Sequence, residues 1–288
     1  MGMKITQRMP SGEGIAAGST ATFRIPVGQR FHALYFKFNY NATTQNLAHF
    51  TEIRLFVNGQ VFQRFSATER NNLNIFDLAP SAISNGGILI IPFDRVGLLQ
   101  SEQSELTSIN TGVADSSGRL INSLYMEVDI AAGATVAPAD LALYAKISDV
   151  VAGGAGLIPY IRKEPRTIAG ADADFQLSDL VNPGVNAPDK VALSRVTFIP
   201  NTSTLSNLRI DRNQYIIFDR PDGLNRQVQD AGIRAPVAGY YTIDTGENGI
   251  GTDVVQLLGM TDYRYRLNVA GAMTVTVLSE YFGVLSAN

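Results

Sequence analysis

Two histidines, His32 and His49, are the only imidazoles in the chain, and there is no cysteine. A histidine base or a zinc centre needs such a ring beside acids brought in from elsewhere. Neither histidine sits in a metal-ligand spacing, so both are expected to be ordinary structural or surface residues. Without cysteine the chain has no thiol nucleophile, disulfide or zinc–thiolate site. Among the carboxylates, Asp172 and Asp174 form a D-x-D in a predicted loop, and Asp244, Glu247, Asn248 and Asp253 form an oxygen-rich stretch. Calcium takes about six to eight oxygen ligands, and the closing position of an EF-hand reading of that stretch is Val255, not glutamate. A structural calcium is the one cofactor left open, with its ligands unknown; no other cofactor is expected. Glu127 and Asp129 lie two apart on one strand face, where a retaining glycosidase pair could be imagined. Alternation makes such pairs common on solvated strands, and the chain has no tryptophan to stack a sugar. Gly153-Gly154-Ala155-Gly156 follows no βα unit and lacks the third glycine of a dinucleotide fingerprint, and no P-loop is present. Arg162–Arg166 (RKEPR) is the one basic cluster. It is expected to be a solvated segment at a domain entrance rather than a phosphate or lipid-headgroup site. No catalytic residue is assigned, and the chain reads as no enzyme.

Bulk composition narrows the class further. Net charge is −3 over 288 residues, too acidic to grip nucleic acid by neutralising phosphates. Charged residues make up 17%, which is low and suits a protein that covers much of its surface with oligomer contacts. The longest apolar runs, such as Gly87–Phe93, are too short to span a bilayer, and the first residues carry no apolar core of a secretory signal.

The elements that would position these residues read as strands. Phe50–Phe65 (FTEIRLFVNGQVFQRF) alternates around Asn58-Gly59, the pair a type I′ hairpin turn favours because both residues tolerate positive φ. A simple two-residue turn pairs Val57 with Gln60, Leu55 with Phe62 and Ile53 with Arg64. Ser66, with Glu69 three residues on, is a capping-box signature for a short helix over Ser66–Leu78. Ala21–Tyr40, Gly87–Phe93, Leu120–Ile130 and Asp140–Ser148 read as further strands, and Asp94–Arg119 as a long polar connection.

The second half repeats the first. Laid over the hairpin, Ser206–Arg220 (SNLRIDRNQYIIFDR) puts Leu208 on Ile53, Ile210 on Leu55, Asn213 on Asn58 and Ile217 on Phe62. That offset, 208 − 53 = 155 residues, is the size of a duplicated domain. Asp174–Leu180, Lys190–Pro200, Asp222–Ile233, Gly239–Thr245, Thr261–Ala270 and Met273–Val284 continue the correspondence. Strands without βαβ alternation argue against a parallel α/β fold, and about eight strands per half fit a jelly roll. The expected architecture is all-β: two tandem eight-stranded jelly-roll sandwiches with short helices, each with its own core. Residues 1–18 are expected to be a flexible arm, 19–150 the first jelly roll, 151–159 the linker and 160–288 the second jelly roll.

Ile15–Phe31 (IAAGSTATFRIPVGQRF), Glu52–Glu69 (EIRLFVNGQVFQRFSATE) and Leu278–Ser286 (LSEYFGVLS) resemble the major capsid protein of corticoviruses, tailless phages with a membrane beneath an icosahedral shell. The similarity follows the order and spacing of elements over nearly the whole chain. It implies a double jelly roll, both sandwiches upright, and homotrimers acting as pseudo-hexameric capsomers. These would assemble in the host cytoplasm into a virion capsid over the viral membrane surface, beside neighbouring capsomers and the vertex, spike and membrane proteins. The alternative is a tandem lectin-like β-sandwich that uses Asp94–Arg119 and Asp244–Asp253 to bind carbohydrate.

Overall fold

The computed structural model describes residues 3–180 and 190–285; the ends of the first and last expected segments, and 181–189 of the second jelly roll, lie outside it. In chain order the first half holds β1 (Ile5–Arg8), β2 (Thr20–Ile25), β3 (Arg30–Lys37), β4 (Phe50–Val57), β5 (Gln60–Phe65), α1 (Ala67–Phe76), β6 (Ile88–Pro92), α2 (Ser101–Glu105), β7 (Ile109–Asn110), β8 (Leu124–Ile130) and β9 (Ala142–Ser148). The second half holds β10 (Ile158–Ile168), β11 (Asp172–Leu177), β12 (Ala192–Pro200), β13 (Leu205–Arg212), β14 (Tyr215–Pro221), α3 (Asp222–Ala231), β15 (Tyr241–Asp244), β16 (Val255–Gln256), β17 (Tyr263–Val269) and β18 (Met273–Gly283).

The sheets have the same order in both halves. The first sandwich packs β1-β9-β3-β6 against β2-β8-β4-β5, and the second packs β10-β18-β12-β15 against β11-β17-β13-β14. The two-residue strands β7 and β16 add to β3 and β12, again at equivalent places. Setting the short strands aside, each half is an eight-stranded jelly roll, and the chain is a double jelly roll. Burial alternates strictly along β8 and β17, as expected of strands with one face on a core. Phe36, Phe38 and Phe50 pack edge-on or tilted at 5.0–6.0 Å in the first core, and Phe198, Tyr263 and Tyr265 at 5.1–5.6 Å in the second.

The hairpin turn forms at Asn58-Gly59, but its register differs from the simple reading. Val57 does face Gln60, then one residue is skipped, so Leu55 faces Gln63 and Ile53 faces Phe65. This β-bulge at Phe62 lets both Phe62 and Phe65 reach the core. The second hairpin skips at the equivalent place, between Ile210 and Asp211, leaving Ile217 opposite no residue. Its turn is also two residues, with Asn213 and Gln214 both at positive φ. Asn58 Oδ1 accepts from the backbone amides of Asn122 and Ser123, and Asn213 Oδ1 from those of Thr261 and Asp262. Each hairpin tip is thereby tied to the strand beside it. The capping box also forms: Ser66 Oγ accepts from the Glu69 amide, and Glu69 returns the bond to the Ser66 amide.

Four expectations need correction. Residues 1–18 are not simply a flexible arm, because Ile5–Arg8 pairs antiparallel with Tyr144–Ile147 of β9, and Lys4 reaches Glu105 at 2.7 Å. Arg162–Arg166 is not a solvated entrance. It lies within β10, paired with β18 from Ile158 to Ile168, and the strand takes its first residues from the expected linker. Pro165 fits there because β10 meets β5 only at Ile161, so no strand on that side needs its missing N–H. Asp94–Arg119 carries α2 and β7 and crosses to the other half, where Leu99 donates to Gly249 and Gly251 to Gln103 Oε1. Finally, the cores are not separate. The parallel contact of Ile161 with Gln63 fuses the halves into one nine-stranded sheet. Phe62 then meets Phe93 at 6.1 Å and Tyr160 at 6.4 Å, so the buried apolar residues form one connected cluster.

Candidate assembly surface

His32 occupies the bulge of β3, where pairing with β9 skips between Phe31 and Ala33. The bulge carbonyl accepts from both Phe93 and Asp94 amides. The ring lies with Nδ1 2.9 Å from Asp94 Oδ2 and Nε2 2.9 Å from Ser148 Oγ. This is the bonding order of a serine nucleophile with its base and acid, and nothing in the residue spacing pointed to it. With His32 1% and Ser148 6% exposed, the imidazole and the hydroxyl are walled in. Together with Lys4, Glu105 and Arg30, it clamps β1, β3, β9 and the crossing loop to one another. His49 closes the cap of a 3₁₀ turn by accepting from the Asn46 amide.

Most of the acids singled out by type are engaged by arginines. Glu127 and Asp129 share Arg54 with Glu52, and Thr20 donates to Asp129. Burial opposes ionisation of Asp129, but Thr20 and Arg54 outweigh it and hold its carboxyl below the usual range. Asp172 and Asp174 lie in β11, paired with β17, and not in the expected loop; Asp174 pairs with Arg266, and Asp172 accepts from the Asp174 amide. Asp244 is a buried residue at the end of β15, paired with Arg234, and Glu247 takes Arg220 on both oxygens. Among the described residues, no three acids or histidines gather closely enough to hold a metal ion. In the basic cluster, Lys163 reaches across to Glu69 at 2.8 Å, and Arg166 pairs with Glu164 and Asp179.

The start of β14 and its neighbour on α3 form an apolar patch open to the outside. On β14, Tyr215 is 76% exposed, and Ile216 and Ile217 are about half exposed, with Leu224 of α3 nearby in sequence and also open. β14 ends its sheet, so its outer edge has no strand partner among the described residues. β1 likewise ends its sheet, and all four of its residues are exposed. Open strand edges invite pairing with another chain unless something covers them.

Two family models cover this architecture. The viral coat protein P2 N-terminal domain matches residues 6–148, and its C-terminal domain matches residues 158–285. The chain belongs to the viral coat protein P2 family. Its role is structural, in the virion capsid, and not enzymatic. Among solved structures, it is similar to the major capsid protein P2 of bacteriophage PM2, with a TM-score of 0.80, 16% identity and 99% of each chain covered. It is also similar to a chain of Sulfolobus turreted icosahedral virus, with a TM-score of 0.64 and 11% identity over 97% of this chain and 91% of that one. A third likeness is to the PBCV-1 virus capsid, with a TM-score of 0.60 and 10% identity over 99% of this chain and 97% of that one. At these identities the structural likenesses carry the fold alone. No curated protein matches the sequence. For a coat protein, the exposed strand edges are the candidate site, and the carbohydrate-binding alternative is not favoured.

Proposed function

We propose that three copies of this coat protein close head to tail into a ring of six jelly rolls, β14 of each chain meeting β1 of the next. One observation carries the reading. Within the chain, the first half's β5 edge is joined by β10 of the second half. By sheet order, β14 is the counterpart of β5 and β1 the counterpart of β10. The same pair of edges that seals the internal junction is therefore left without a strand partner among the described residues, at β14 and at β1. A heterologous contact of that kind closes a ring when its rotation allows, and three two-lobed chains make a pseudo-hexagon. Such capsomers pave an icosahedral shell and meet neighbouring capsomers and vertex or spike proteins at its margins. The membrane beneath the shell rests on the resemblance to corticovirus shell proteins alone.

The pairing predicts a residue contact. Gln63 faces Ile161 at the internal junction. The hairpin offset of 155 carries Gln63 to Phe218, and the shared registers of β1 with β9 and β10 with β18 carry Ile161 to Thr6. The chain has no cysteine, so a Thr6→Cys, Phe218→Cys variant starts from a clean background. Under mild oxidation it is expected to give covalent dimers and trimers on a non-reducing gel, whereas either single variant gives none. A double variant that stays monomeric on the gel would place the contact elsewhere.

A further inference from the structure

A cavity of about 50 Å³ lies where the two jelly rolls meet, between α1 on one side and β10, β12 and β18 on the other. A water molecule needs roughly 10–15 Å³ of such space, so there is room for a small ion with a companion water. Four guanidinium groups line it, those of Arg70, Arg95, Arg195 and Arg234. Against them stand Asp77 and Glu280 in the lining and Asp244 just behind, paired with Arg234. Asp94 also lines the cavity, but its carboxylate is taken by His32 and Lys4. Four positive charges against three negative leave one uncompensated.

Hydrogen bonding locates the deficit. Arg70 is 3% exposed; its Nε donates to Asn74, while Nη2 has no hydrogen-bond partner and stands 3.6 Å from the Asp77 carboxylate. Nε of Arg195 is also buried without a hydrogen-bond partner, 3.9 Å from Asp244. Arg95 has no carboxylate within ion-pair distance among the described residues and lies over the Phe282 ring. Burial pushes the Arg70 and Arg95 guanidinium groups below their usual range, because the nearby carboxylates do not offset it. Two buried acceptors in the same lining, Oε1 of Gln63 and Oε1 of Glu280, have no hydrogen-bond partner, although the latter stands 3.6 Å from Arg195 Nη1. Buried charged donors left unsatisfied are costly. Water alone would satisfy the hydrogen bonds but leave the excess charge.

We propose that this cavity binds a small monovalent anion of the chloride class, held by Arg70 Nη2 and Arg195 Nε, with water bridging to Gln63 and Glu280. Arg70 comes from the first jelly roll and Arg195 from the second, so the ion is a shared ligand of the junction and helps fix the angle between the lobes. The inference does not depend on how chains associate.

Bromide is the probe. Crystals of the full chain grown or soaked in sodium bromide are expected to show an anomalous peak in the cavity, within hydrogen-bonding reach of both arginine atoms. In solution at constant ionic strength, replacing gluconate with chloride is expected to raise Tm by a few degrees and to saturate, as linkage to a native-state ligand requires. Arg70→Met removes the excess charge and should abolish that dependence. A cavity without a bromide peak overturns the proposal, whatever the variant does. So does a chloride effect of equal size in the wild type and in folded Arg70→Met, which would mark a surface salt effect.

Discussion

Asp77 bridges the two lobes, and Asp244 holds the arginines that reach it. Asp77 follows α1 in the first half and receives both terminal nitrogens of Arg195 from the second, at 2.7 and 3.2 Å. Burial opposes ionisation of Asp244, yet Arg195, Arg234 and the Gly246 amide more than compensate and hold its carboxyl below the usual range. Removing one member of a buried pair leaves its partner charged and unpaired, at a cost of about 3–5 kcal/mol. Asp244→Asn is expected to lower unfolding free energy by that order in a denaturant titration. Glu127→Gln, on the partly exposed Arg54 cluster at the sheet surface, should cost under about 1 kcal/mol. The pH dependence follows from the sign of the shift. A carboxylate with a depressed folded-state pKa contributes fully above its unfolded value of about 3.9, and that contribution is lost as pH falls through the folded value. Wild-type stability should therefore fall steeply below about pH 4, and Asp244→Asn should flatten that limb. None of this was legible in the sequence. His32 finds Asp94 62 residues away and Ser148 116 residues away, and a bulge that no local pattern announces aims its ring.

At the level of elements, hairpins and helix caps were readable because local chemistry decides them. Asn-Gly chooses its turn by backbone sterics, and Ser66 with Glu69 satisfies amides that any helix start must satisfy. The second turn keeps asparagine because Asn213 bonds across to Thr261 and Asp262, but it places Gln214 at φ +69. A non-glycine residue in that region carries strain of about 1 kcal/mol. Gln214→Gly should therefore leave the stability unchanged or raise it by up to about 1 kcal/mol, read from the denaturant midpoint. Gly59→Ala, at φ +79, should lower it by a similar amount. Setting aside the two-residue β7 and β16, the strands missed in the sequence are β1 and β10, which are counterparts. β1 has four residues, all exposed, and β10 carries two prolines and a charged run. Neither shows the alternation that marks a half-buried strand. Their pairing comes from β9 and β18, far along the chain, and no reading of local period could supply it.

For the whole molecule, duplication was the most informative signal in the sequence, and it holds down to a shared bulge and a shared strand order. The expectation of two separate cores failed for a physical reason: lobes joined edge to edge in one sheet must share a wall, and Phe62 and Tyr160 fill it. That fused junction is what makes the free edges meaningful, since it shows how this chain seals a β5-type edge with a β10-type strand. An assembly built on the same contact needs no new surface chemistry, only another copy. The mass of the purified protein in solution tests this most directly. Light scattering coupled to size exclusion is expected to give three times 31.1 kDa, about 93 kDa. A species that stays at the mass of one chain at high concentration, or one that settles at the mass of two, would contradict a closed ring of three.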